Sequence, residues 1–288
     1  MKIGFIGQGW IGKNYADTFE ERGYQTVRYS LEEPYVNNKE QLKDCEIIFV
    51  AVPTPTEPNK GFIDDILINA IQSNTYPEQT VVIKSTIQVG TTNKLQKIFK
   101  DRYIMHSPEF LTERTAKYDA MNPSRNIIGY TAKSFSKAGE VMRILPAAPY
   151  EKLCPCEEAE FVKYMGNCWF YAKVLMMNIF HDIAIEYNLD MGLMKEMLGA
   201  DKRVGKTHLD VLHKSGRGAG GHCFIKDFAA LRSMYETSKG DNMTESEVQG
   251  FNMLLAMEQY NRELLYESNK DLDLLEGVYG KEIFDTKL

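Results

Sequence analysis

Strand–helix alternation through the first half, a Gly-x-Gly-x-x-Gly run between the first strand and first helix, and a proline-free apolar helix in the second half predict an α/β protein. Residues 1–150 read as an N-terminal doubly wound, Rossmann-like domain that binds a dinucleotide. Residues 151–288 read as an all-helical domain built on one long helix.

Residues 2–6 form a short apolar strand, and Gly7-Gln-Gly9-Trp10-Ile11-Gly12 leads into a helical pattern that runs to about Arg22. In that context the first glycines let the backbone approach a pyrophosphate at the helix N-terminus, and Gly12 allows close helix–strand packing. The second strand, Gln25–Tyr29, ends in Ser30, where an NAD site usually carries a carboxylate for the ribose. NAD is therefore the expected cofactor, with NADP as the alternative. Arg28 reads as a solvated surface arginine or, in the alternative, as a reader of a 2′-phosphate.

Strands over Glu46–Val52, Thr80–Lys84, Tyr103–His106 and Asn126–Gly129 alternate with helices over Asp65–Ser73 and Thr92–Phe99, which implies a parallel sheet. The segments Val52-Pro-Thr54-Pro-Thr56 and Ser85-Thr86-Ile-Gln-Val-Gly90 fall at strand carboxyl ends, where ligands bind in such sheets. In Ser107-Pro108-Glu109-Phe110-Leu111-Thr-Glu113 the proline suits a helix start, and a helix would put Glu109 and Glu113 on one face. The alternation stops near Pro146–Pro149.

From Glu157 to about Asn188 there is no proline, giving a helix of roughly 45 Å at 1.5 Å per residue. Its apolar residues surround the axis, so neighbouring elements or a second subunit must cover them. Lys163 and Asn167 stand four apart near its start. Farther on, Gly216-Arg-Gly218-Ala-Gly220-Gly-His-Cys223-Phe-Ile-Lys226-Asp227 combines a flexible glycine loop with a thiol, a cation and a carboxylate. A helix beginning near Cys223 sets the thiol at a positive helix end beside Lys226, both of which favour thiolate. Asp227 then lies one turn away, as a base on the same face.

Composition narrows the classes. A net charge of −6 argues against a general nucleic-acid binder and supplies no basic face for a membrane. The apolar stretch Tyr164–Phe180 is broken by Asn167, Lys173 and Asn178, so no membrane span is expected. With a strand read from residue 2, no signal peptide is expected. The five cysteines (Cys45, Cys154, Cys156, Cys168 and Cys223) suit reduced thiols in a cytoplasm. Cys154-Pro-Cys156 lacks a second ligand pair, so no metal site is expected.

Taken together, these motifs resemble those of the UDP-glucose/GDP-mannose dehydrogenase family, in the same order. They are Gly7–Gly12, Val52-Pro-Thr-Pro, Lys84-Ser-Thr-Ile-Gln-Val-Gly-Thr, Ser107-Pro-Glu-Phe-Leu-x-Glu, Glu160-x-x-Lys-Tyr-x-x-Asn, Asp201-Lys-Arg203-Val-Gly and Gly218-Ala-Gly-Gly-His-Cys-Phe-Ile-Lys-Asp. The resemblance covers roughly residues 1–235 and implies a four-electron oxidation of a nucleotide-sugar C6 alcohol to the acid through a cysteine thiohemiacetal and thioester. By the resemblance Cys223 is the nucleophile, Asp227, Glu113 and Thr86 serve the hydrolytic water, Lys163 and Asn167 stabilise oxyanion character, and Glu109 is a site residue without an assigned step. It further implies cofactor contacts at Gly7, Gly9, Trp10, Ile11, Gly12, Ser30, Val52, Thr54, Thr86, Glu113 and Lys226. Substrate contacts are implied at Phe110, Leu111, Lys163, Asn167, Arg203, Gly218 and Gly220.

The expected partners are a UDP-glucose or UDP-N-acetylhexosamine type substrate and a second subunit. The second subunit pairs through the long helix and receives Arg203 across the interface. Ser30, Arg217 and Ile225 depart from the family pattern, and the sequence reads as a shortened form without the C-terminal UDP-binding domain. Two other readings stand beside it: a two-electron β-hydroxy acid dehydrogenase and a non-catalytic dinucleotide-binding subunit.

Overall fold

The computed structural model describes residues 1–57, 61–112, 114–240 and 242–281. It divides into two compact units, one of Met1–Pro55 with Phe62–Lys163 and one of Thr56–Gly61 with the chain from Tyr164 onward.

The first unit is built on strands β1 (Lys2–Ile6), β2 (Gln25–Tyr29) and β3 (Ile47–Val50). The two-residue strands β4 (Thr56–Glu57) and β5 (Gly61–Phe62) pair with each other. The sheet then continues with β6 (Thr80–Ile83), β7 (Tyr103–His106), β8 (Asn126–Tyr130) and β9 (Glu151–Pro155). Its helices are α1 (Trp10–Glu21), α2 (Asp65–Asn74), α3 (Thr91–Ile98), α4 (Ala116–Met121) and α5 (Phe135–Ile144), with a 3₁₀ segment at Val36–Asp44.

The seven-stranded sheet has the order β2-β1-β3-β6-β7-β8-β9. Successive strand residues point to opposite faces, and both faces are covered. Ile48 and Val50 pack with Leu67, Ile71 and Leu95 on one side. Ile47 and Phe49 pack with Phe19, Ala138 and Val141 on the other. This two-sided burial is why β3 reads as Ile-Ile-Phe-Val without alternation.

Three expectations are corrected here. The sheet is not wholly parallel: β8 runs antiparallel to β7, with His106 opposite Gly129. The connection carrying α4 returns at the same end of the sheet instead of crossing to the other end. Nor does the alternation stop at Pro146, because α5 precedes it and Glu151–Pro155 adds a further strand, parallel to β8. That strand lies at the sheet margin, is polar and largely exposed, and ends in Pro155, as suits an edge. Finally, Ser107–Thr112 is irregular and not helical. The Glu109 carboxylate accepts the Leu111 N–H at 2.8 Å, and Asp119 Oδ2 accepts from Thr112 N and Thr115 Oγ1. These side-chain acceptors hold the segment open until α4 begins at Ala116.

The long helix α6 (Cys156–Glu186) is followed by α7 (Met191–Ala200), α8 (Gly221–Lys239), α9 (Glu245–Glu267) and α10 (Leu272–Tyr279). Within the second unit Cys168, Tyr171, Leu175, Phe228 and Leu264 form the core, and the Tyr171 and Phe228 rings stack at 3.9 Å. A capping box of Thr244 and Glu247 starts α9. Met165, Trp169, Met176, Ile179, Phe180 and Ile183 stand exposed along α6, Trp169 at 70%. No helix among the described residues is long and apolar enough to cross a membrane.

Candidate active site

In the first unit the three glycines of the N-terminal loop do different work. Gly7 has φ +87°, and a Cβ there would meet the Ala51 carbonyl oxygen at 2.2 Å; a Cβ on Gly12 would lie 1.9 Å from the Gly7 oxygen. Both are required by the protein's own backbone. Around Gly9 nothing lies within 4 Å of an added Cβ. Gly9 caps α1 without any side-chain hydrogen bond, leaving the first N–H groups of that helix to an anion. Gly7 N bonds to Tyr29 O and Ala51 N to Ile6 O, which places the loop at the carboxyl ends of β1 and β3, where the strand order reverses. Trp10 is exposed and Ile11 half-buried beside it. An uncapped helix end, an open glycine and a crossing point of the sheet fit a dinucleotide pyrophosphate.

Val52 and Thr54 join the following loop to Thr86. Val52 N donates to Ser85 Oγ, which donates back to Val52 O at 2.7 Å, and Thr54 Oγ1 donates to Thr86 O at 2.7 Å. Ser30 Oγ turns to the Glu32 carbonyl. Arg28 is corrected on both readings: it is buried, and its guanidinium is held by Glu20 and Asp17 at 2.6 Å. It is neither a solvated arginine nor available to a phosphate.

Beyond the strand ends lies a buried ionic cluster. Lys163 Nζ donates to Glu109 Oε1 at 2.9 Å, with both side chains buried. Lys84 Nζ donates to Ser107 Oγ and sits 4.1 Å from the Tyr15 ring centroid. Burial pushes the Lys84 pKa down to about 7 against the attraction of Glu109, and pushes His106 down to about 3. Glu160 accepts from Gly90 N, Thr92 N and Thr92 Oγ1, so this motif residue caps α3.

The Lys84 shift has a signed consequence. The unfolded chain holds that proton up to about pH 10.4, whereas the folded chain releases it near 7. Between those values the unfolded state binds more protons, so this group makes stability rise with pH. Lys84→Met is expected to remove that rise. Denaturant midpoints of wild type and variant, compared from pH 7 to 10, should diverge in the wild type's favour as pH increases; parallel curves would contradict the shift.

In the second unit α8 begins at Gly221, so Cys223 is the third helical residue and is exposed. The other four cysteines have their pKa values raised by burial, Cys45 to about 11. Asp227 is buried; its Oδ2 accepts from Asn167 Nδ2 at 2.6 Å, and Lys226 Nζ stands 3.1 Å from Oδ1. Four residues from α9 and the turn after it hold the glycine loop. Asn261 brackets Ala219, accepting its N–H and donating to its carbonyl. Lys270 Nζ donates to the carbonyls of Gly216 and Gly218, Ser268 Oγ accepts from Arg217 N, and Asp271 Oδ2 accepts from Gly221 N. A Cβ at Gly220 would meet that Asp271 oxygen at 2.1 Å, and Gly218 takes φ +84°. Arg217 is tied to Asn178 and Asp182 of α6. Lys173 donates to the carbonyls of Val204, Gly205 and Thr207, and His208 stacks on Phe170 at 4.3 Å. Both anchor the segment after Arg203, which is itself 90% exposed and forked onto Asp201.

Residues 30–145 match the NAD binding domain of the UDP-glucose/GDP-mannose dehydrogenase family, and residues 157–254 match its central domain. The chain belongs to this family.

Among its relatives, UDP-glucose 6-dehydrogenase of Pseudomonas aeruginosa is 32% identical over 81% of this chain and 52% of its own length. The chain spans about half the length of the curated relatives it matches, including 58% of UDP-glucose 6-dehydrogenase TuaD of Bacillus subtilis, at 28% identity over 80% of the chain. A UDP-glucose dehydrogenase structure from Pyrobaculum islandicum superposes with a TM-score of 0.75 at 22% identity, over 90% of this chain and 68% of that one, which shows the shared fold.

The family's NAD-binding domain is thus present. The candidate loop residues Gly7, Gly9, Trp10, Ile11, Gly12, Val52, Thr54 and Thr86 lie in the first unit with Ser30, Glu109, Phe110, Leu111 and Lys163. Asn167, Arg203, Gly218, Gly220, Cys223, Lys226 and Asp227 lie in the second. Glu113 lies outside the described residues.

Proposed function

We propose that this chain carries out NAD-dependent oxidation of a nucleotide-sugar C6 alcohol to the corresponding acid, with Cys223 as covalent nucleophile. The observation that carries the reading is Cys223 itself, the exposed thiol at the start of α8 behind a glycine loop fixed from α9 and the turn after it. Such a position favours thiolate. Bound NAD supplies the two-electron oxidant for each half of the reaction.

In the first half the alcohol loses a hydride and a proton to become an aldehyde. The Cys223 thiolate then adds to the aldehyde carbon, and Lys163 and Asn167 stabilise the oxyanion of the thiohemiacetal. A second two-electron oxidation yields a thioester. Water, oriented by Thr86 and deprotonated by Asp227 or Glu113, cleaves it to the acid and frees the thiol. Gly7 to Gly12 hold the cofactor's pyrophosphate, Lys226 serves as a further cofactor-binding residue, and Phe110, Leu111, Gly218 and Gly220 shape the sugar site. The unbridged thiols suit a reducing cytoplasm. A panel of UDP-glucose, UDP-N-acetylhexosamines and GDP-mannose, each with NAD or NADP, tests the reading. Reduced cofactor and a sugar acid should form with one of them, and NAD should be preferred; no oxidation of any would contradict it.

A second copy is proposed to cover the exposed apolar face of α6 and to receive Arg203, whose forked donors suit hydroxyl and phosphate groups. Mixing Arg203→Ala with Cys223→Ala chains should restore activity above either parent. A mixture as inactive as its parents, with subunit exchange demonstrated, would rule the shared site out.

A further inference from the structure

Arg125 immediately precedes β8, and β8 is antiparallel to β7. The reversal has a positional effect. A parallel strand would start at the far end of the sheet, whereas this one starts at the carboxyl end of β7, beside Glu109 and Phe110. The Arg125 guanidinium carbon lies over the Phe110 ring, 3.7 Å from its centroid, and Lys163 Nζ lies 5.8 Å from the same centroid. Two cations therefore converge on one aromatic residue at the ligand end of the sheet.

Only one of them has a visible counter-charge. Both Glu109 oxygens are committed, Oε1 to Lys163 and Oε2 to the Leu111 N–H. Arg125 makes no ion pair with any described residue, and its Nε is fully buried without a hydrogen-bond partner. Burial lowers its pKa and no neighbouring carboxylate offsets this. The residue as a whole is half-buried, so the cost falls on the Nε edge, and an anion that accepts from the guanidinium offsets it. Stacking on Phe110 fixes the plane of the fork and leaves its edge to present paired donors to two oxygens of one group.

We propose that Arg125 is a substrate-binding residue whose guanidinium, set by Phe110, receives an anionic oxygen pair of the bound ligand. Two parts of a nucleotide-sugar acid carry that chemistry, the diphosphate and the carboxylate formed at C6. The inference rests on the nucleotide-sugar reading only for the identity of the anion.

The test uses the full chain with Arg125→Met, which keeps an unbranched apolar body on the ring, and Arg125→Lys, which keeps the charge but not the fork. Calorimetric titration with uridine diphosphate, UDP-glucose and UDP-glucuronate, alongside NAD, gives the readout. Arg125→Met should weaken anion binding by roughly 10- to 100-fold, with the lysine variant between and NAD affinity unchanged. A loss shared by all three uridine ligands assigns the diphosphate; a loss confined to UDP-glucuronate assigns the carboxylate. Unchanged affinity for all three overturns the proposal, as do variants that unfold or lose NAD binding equally, since Arg125 would then be structural. A wild-type chain that oxidises no sugar, yet binds one of these anions through Arg125, would separate failure of the functional reading from failure of this one.

Discussion

Replacing Cys223 with alanine or serine is expected to abolish acid formation, with a loss of roughly 10³-fold or more, while leaving NAD affinity and the melting temperature close to wild type. The size follows from the chemistry. Without the thiol no covalent adduct forms, so the second oxidation has no thiohemiacetal to act on. The selectivity follows from position: Cys223 is exposed at the first turn of α8, so its replacement removes no core contact. The corresponding change at Cys168, buried beside Tyr171 and Phe228, would act through packing instead. Rapid-quench analysis of the products checks the point. Acid produced by the alanine variant at the wild-type rate would remove Cys223 from the mechanism.

The second large effect separates two glycines three residues apart. In Gly12→Ala the new methyl meets the Gly7 carbonyl at 1.9 Å, and both partners are backbone in the first βα turn, with no side chain to swing aside. The cost is expected to reach about 3 kcal/mol, which lowers Tm by roughly 6–12 °C. In Gly9→Ala the methyl meets nothing, and the residue's φ of −68° and ψ of −170° are open to alanine. Its stability should change by no more than about 1 kcal/mol, yet the methyl enters the space before the α1 N-terminus. Its NAD affinity is expected to fall by at least about tenfold, the worth of one charge-assisted contact. Thermal melts with and without NAD read both quantities. A Gly9→Ala chain that binds NAD as wild type does would move the pyrophosphate away from this loop.

That contrast shows what the sequence could and could not carry. The Gly-x-Gly-x-x-Gly spacing announces the turn and the packing role of Gly12, but that Gly7 also serves the fold while Gly9 leaves room for a ligand depends on Ala51, at the end of the neighbouring strand. The buried strands β1, β3, β6 and β7 are legible because each is a short apolar run closed by polar or glycine residues. Strand β9 is not, because an edge strand needs no apolar alternation and Glu151-Lys-Leu-Cys-Pro has none. The Glu109 segment reads as a helix from its proline and its charge spacing. Side-chain acceptors that capture Leu111 and Thr112 N–H groups defeat it. Arg28 looks exposed from its strand position, and Asp17 and Glu20 on α1 reverse that. At the cysteine loop the local chemistry of Cys223, Lys226 and Asp227 is visible in the chain. Its supports lie 42 to 54 residues later; Asn261 stands out in the sequence only as part of a helical stretch, and Ser268, Lys270 and Asp271 become recognisable only once α9 and the turn after it fold back on the loop.

The central claim is that one chain oxidises one carbon twice through a cysteine-bound intermediate. The most direct measurement is the number of reduced cofactors formed per molecule of nucleotide sugar consumed, with limiting sugar and excess NAD. A four-electron oxidation through Cys223 predicts a ratio of two and release of a sugar acid without free aldehyde. A ratio of one, as for a simple alcohol dehydrogenase, or of zero, as for a dinucleotide-binding subunit, would contradict it.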